Sequence, residues 1–160
     1  MGHDAADFTK SIYSFSWKIT MRKLTILYRG ALETCNYACD YCPFAKRKET
    51  SQKKAEDIAG LEQFIFWVSS QTDIQFNIFF TPWGEALVFK RYQQAIKILT
   101  AMDNVDKVIF QTNLSSKLDF LAEINSSKFR LWCTYHPTEV ARQSFIKKTK
   151  LLDSYNIKHS

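Results

Sequence analysis

Apolar residues fall in short bursts whose period changes along the chain. Residues 24–28 (Leu-Thr-Ile-Leu-Tyr) form a brief, partly β-branched run that Gly30 interrupts, the mark of a buried strand entering a loop. The polar stretch that follows, residues 30–52, is far longer than the roughly 2 to 6 residues that usually join a strand to a helix. Loops of that length usually carry function. Beyond Lys53 the period changes: Ile58, Leu61, Phe64, Ile65 and Val68 recur at steps of three and four, which predicts a helix with one apolar face. Residues 74–80 predict a second strand, Thr81-Pro82-Trp83-Gly84 ends it, and Phe89, Tyr92, Ile96 and Leu99 mark a second amphipathic helix. A third strand is expected at residues 108–110, with a shorter helix over 117–124. A fourth is expected at 129–134, followed by a helix that opens at Pro137 with Glu139 in its first turn and runs to Ser154. Residues 156–160 read as the start of a fifth strand.

Four alternations of strand and helix predict an α/β fold with a parallel sheet, because parallel neighbours need a long connection and helices provide it. With 160 residues, 46% of them hydrophobic, the chain can bury a core as one domain without disulfide staples, so its four cysteines need another explanation. Charged residues interrupt every apolar run well before the roughly 18 to 20 residues of a membrane-spanning helix. The first 20 residues place Asp4 and Asp7 ahead of any lysine and lack the apolar centre of a secretory signal, so a cytoplasmic protein is expected. Met21 stands directly before the first strand pattern. Residues 1–20 are therefore expected to be a disordered extension or a non-native start, with the folded domain over 21–160.

Lysine and arginine exceed aspartate and glutamate by 22 to 16, a net charge of +6. The excess gathers in Lys46, Arg47, Lys48, Lys53 and Lys54, and in Lys147, Lys148 and Lys150. Such runs usually line a solvated face, although the first would also suit a nucleic-acid partner. Cys35, Cys39 and Cys42 form CxxxCxxC inside the long loop. Cysteines held this close in an intracellular chain point to metal ligation more than to a disulfide framework. A structural zinc ion wants four ligands, usually in two close pairs, and Cys133 and His136 are the remaining candidates. Three thiolates on one loop suit a cubane iron–sulfur cluster with one iron left open.

The triple, with Tyr41 before its last cysteine and its place just after the first strand, resembles the radical S-adenosylmethionine (radical SAM) superfamily. The resemblance implies a partial (β/α) barrel, here about four βα units of a (β/α)6 core, incomplete at its C-terminal end. It implies that Cys35, Cys39 and Cys42 hold a 4Fe–4S cluster whose free iron is chelated by S-adenosylmethionine. Reductive cleavage, fed by a flavodoxin- or ferredoxin-like electron donor, would then give methionine and a 5′-deoxyadenosyl radical that abstracts hydrogen from a substrate the sequence does not name. Trp83-Gly84-Glu85 follows the second strand where the family carries a glycine-rich acidic motif, so Gly84 and Glu85 are expected at the methionine ammonium. Asn113 is expected to meet the cofactor from the end of strand three and Tyr41 to border the adenine. Gln111 and Thr112, with Thr134, Tyr135 and His136, occupy the ends of strands three and four where further polar contacts arise.

Blander roles compete at each position. Cys133 lies in an expected strand and reads as a small core residue. Glu85 also reads as a turn carboxylate, Asn113 as a turn residue bonding its own backbone, and His136 as a turn residue before Pro137. The alternative class is a non-catalytic metal module, holding zinc or an electron-transfer cluster through the triple plus Cys133, or an inactive fragment.

Overall fold

The structure, a computed structural model, describes residues 21–44 and 47–160. The expectation for residues 1–20 therefore lies outside the described residues. Five strands, β1 (Arg22–Tyr28), β2 (Ile74–Phe80), β3 (Val105–Thr112), β4 (Phe129–Cys133) and β5 (Lys158–His159), form one sheet in the order β1-β2-β3-β4-β5 with every neighbour parallel. Helices α1 (Ser51–Ser70), α2 (Lys90–Ala101) and α3 (Arg142–Ser154) lie in the connections. Sequential order with crossovers of one hand puts successive helices on the same side of a sheet.

Alternation along the strands follows from this. Phe76, Ile78 and Phe80 of β2, Val108 and Phe110 of β3, and Phe129 and Leu131 of β4 are buried on the helix side. There they meet Leu61 and Val68 of α1, Tyr92, Ile96 and Leu99 of α2, and Leu152 of α3. The rings are in register at the carboxyl ends of the strands. Tyr28 pairs with Phe80 and Phe80 with Phe110, and the last two stack with centroids 4.1 Å apart. Truncating a buried ring here to alanine costs about 3–5 kcal/mol.

The expected elements are present, with three differences. Strand three extends to Val105–Thr112, well beyond residues 108–110, because the polar ends that hid it are held by ladder pairing with β2 and β4. The expected helix over 117–124 is a 3₁₀ turn at Asp119–Glu123. Leu121 is its buried side chain, and Leu118 and Ile124, buried at its two ends, stand three residues to either side, the step of a 3₁₀ turn. The last helix begins at Arg142 and not at Pro137. Glu139 and Val140 N–H both bond the His136 carbonyl in a single turn, then Ala141 straightens at ψ 136° and α3 starts afresh.

Arg91 on α2 fixes the far end of the cysteine loop. Its Nε donates to Asp57 Oδ2 at 2.7 Å, and its Nη2 pairs with Glu49, the second residue before the helix proper. Asp57 is 1% exposed, and Tyr92 Oη donates to its other oxygen at 2.7 Å. Thr50 caps α1 by accepting from Lys53 N–H. Among the described residues no helix is long and apolar enough to cross a membrane.

Candidate functional site

The long loop after β1 folds back over the carboxyl ends of the strands, the end of a parallel α/β sheet where sites assemble. Two contacts join it to the turn after β2. Glu85 N–H bonds the Thr34 carbonyl at 3.2 Å, and the ring of Phe44 stacks on Trp83 at 5.3 Å. Gly84 makes the first contact possible: a Cβ at that position would sit 1.9 Å from the Thr34 oxygen. The missing side chain thus serves the approach of two loops, a role distinct from the cofactor contact expected of Gly84.

Cys35, Cys39 and Cys42 border one hollow of about 150 Å³ together with Gly84, Glu85, Asn113 and His136. All three are free thiols, Cys39 buried and the others half-buried. Burial raises the Cys35 thiol above its ordinary range, and the Tyr37 N–H, donating to its sulfur at 3.4 Å, works in the opposite direction. Asn113 Nδ2 lies 3.6 Å from the same sulfur and donates at 3.3 Å to Asn36 Oδ1. A thiolate at position 35 would meet two N–H donors already in place, which favours the charged form.

Glu85 is 1% exposed. Its carboxylate accepts from Leu87 N–H, Asn113 N–H and the Thr112 hydroxyl, so it closes the turn after β2 and ties that turn to the end of β3. Burial pushes its carboxyl up to about 7 despite these donors. All the hydrogen bonds come from neutral groups; the Lys148 ammonium acts on it through space, and among the described residues no cation forms an ion pair with it. A positive group arriving in the hollow would therefore complete its electrostatics. Turn carboxylate and cofactor contact are thus compatible readings of one residue.

His136 Nδ1 stands 3.3 Å from Cys39 Sγ and 2.9 Å from Tyr41 Oη. Burial lowers its imidazole below the ordinary value, against the opposing charge of Glu139. In the neutral ring, one tautomer accepts from the tyrosine and the other donates to the sulfur. Tyr41 is 57% exposed and lies outside the residues bordering the hollow, joined to it through His136. Cys133 does not border the hollow; it packs against the core, and burial pushes its thiol up to about 12.

The loop after β3 carries a device invisible in the pattern. Leu114 holds φ at +58°, a left-handed conformation that costs a branched-chain residue about 1–2 kcal/mol. Lys148 of α3 offsets it by donating from Nζ to the carbonyls of Leu114, Ser115 and Ser116 at 2.8, 2.7 and 2.9 Å. The Thr112 hydroxyl accepts from Leu114 N–H, and Asn113 Oδ1 accepts from Ser115 N–H. Asn113 is therefore both the expected turn residue and a neighbour of Cys35.

The three thiols share the lining of one hollow, and among the described residues no group of three His, Cys, Asp or Glu side chains is arranged to hold a single ion. Three soft sulfur donors around a hollow, with a buried carboxylate beside them, fit a polynuclear iron–sulfur cage carrying a cationic ligand. Comparisons with protein-family models, with curated proteins and with solved structures find no match to this chain.

Proposed function

We propose that the chain is a radical SAM protein with a partial (β/α) barrel, in which Cys35, Cys39 and Cys42 hold a 4Fe–4S cluster. The observation that carries the reading is the meeting of three free thiols and a buried carboxylate, without an ion-pair partner among the described residues, around one hollow at the carboxyl ends of parallel strands. When bound, the cluster and S-adenosylmethionine, supplied with an electron by a flavodoxin- or ferredoxin-like donor, provide a 5′-deoxyadenosyl radical for hydrogen abstraction. Glu85 receives the ammonium of the methionine portion, in a niche that Gly84 keeps narrow. Asn113 steadies Cys35 and offers a polar edge to the cofactor, and Tyr41, fixed by His136, borders the adenine.

Anaerobic reconstitution with iron and sulfide should yield about four irons per chain, and Cys39→Ala should lose the cluster. A wild-type chain that stays free of iron and sulfide, or a Cys39→Ala chain that loads fully, overturns the reading.

A further inference from the structure

The helices cover one face of the sheet, and the other face is sharply divided. Leu27, Phe79 and Ile109 lie side by side across β1, β2 and β3 on the open side. Trp132 of β4, 48% exposed, stacks on Phe79 with centroids 5.4 Å apart. Leu27 is 64% exposed. Contiguous apolar side chains left open in this way mark a binding surface more often than chance exposure.

The same row continues into cations. Ile109 pairs with Arg130, and Arg130 pairs with Lys158, so two positive side chains stand directly opposite each other. Lys107, two residues before Ile109, adds a third. Like charges in directly opposed positions destabilise a sheet. Among the described residues none of the three has an ion-pair partner, and Arg130 spends its Nη1 on the Ser127 and Phe129 carbonyls. Together with Ile109 they border a hollow of about 320 Å³. The apolar strip connects it to the thiol site, because Gln111, two residues beyond Ile109 and paired with Trp132, borders the thiol hollow. Two residues of strand span about 7 Å.

We infer that this face binds a small organic anion with an apolar or aromatic body, its body on Phe79, Ile109 and Trp132 and its phosphate or carboxylate between Lys107, Arg130 and Lys158. The inference rests on the radical SAM reading only in taking this ligand as the substrate; the binding itself needs neither cluster nor cofactor. An anion between the three cations removes their mutual repulsion, and the strip removes the ligand's body from water.

Equilibrium dialysis of the cofactor-free chain against 1-naphthyl phosphate, with uncharged 1-naphthol as the comparison, tests it. The ester should bind at least about tenfold more tightly than the alcohol, and the Lys107→Gln/Lys158→Gln double variant should abolish that preference. Trp132→Ala should weaken ester and alcohol alike. Lys147→Gln/Lys150→Gln, which removes the same charge from exposed positions of α3, should change neither. Absence of ester binding, equal binding of ester and alcohol, or equal losses in the two double variants overturns the inference and shows only solvated lysines. Failure here with full iron loading leaves the cluster reading standing; binding here without iron loading does the reverse.

Discussion

Burial lifts the Glu85 carboxyl to about 7, because desolvation outweighs the neutral donors from Leu87, Thr112 and Asn113. In the unfolded chain the group returns to its ordinary 4.5, so between about pH 4.5 and 7 the folded state binds more protons than the unfolded one. Stability contributed by the protonated form is present at low pH, is lost across that window and levels off above it. Thermal denaturation of the cofactor-free chain should show this decline, on the order of 3 kcal/mol in total. In Glu85→Gln the slope over the same range should flatten; an unchanged slope would remove Glu85 as its source. Spacing exposed the three cysteines, whereas Glu85 stood out only through the family resemblance, at the place of its acidic motif after the second strand. The sequence marked His136 as a candidate near the triple, but its pairing with Cys39, 97 positions away at 3.3 Å, is a product of the fold.

Among elements, the joint between α1 and α2 carries the highest electrostatic stakes. Arg91→Met leaves Asp57 buried without its cation, and urea unfolding should record a loss of about 3–5 kcal/mol. Tyr92→Phe removes one hydrogen bond to the same carboxylate and should lose about 1.5–3 kcal/mol. Equal and small losses would show that water enters and solvates Asp57. The period of apolar residues made β2 and α1 legible, because their buried positions repeat cleanly at two and at three to four. It failed where chain direction depended on polar backbone contacts. Residues 137–141 offered a proline and an acidic first turn, yet the two bonds to the His136 carbonyl close one turn only. The region around Leu118, Leu121 and Ile124 was assigned a helix because a step of three fits both helical forms over so short a length. The Asp57–Arg91 pair left no trace, being polar residues on faces that pattern reading assigns to solvent.

At the scale of the molecule, a one-sided sheet sets where chemistry can occur: helices close one face, the thiol loop crowns the strand ends, and the open face carries the strip and the cations. Parallel α/β architecture followed from alternation alone, whereas the loop's position over the strands depended on Gly84, whose absent side chain is felt only at the Thr34 carbonyl. Lys148 joins the last helix to this arrangement. Replacing it with methionine should speed hydrogen exchange at the bonded amides of Leu114 and Ser115 by about tenfold or more while α3 itself stays protected, since three bonds that brace the loop disappear and the helix keeps its own ladder. Unchanged exchange would show that the Thr112 and Asn113 bonds suffice to hold the turn.

That single ammonium also imposes an order of events on a growing chain. Every cysteine of the triple leaves the ribosome more than a hundred residues before position 148, so the loop that carries Asn113 gains its three bonds from Lys148 only after α3 has been made. A nascent chain that has not yet reached Lys148 therefore lacks the three bonds that draw the loop beside Cys35 onto α3.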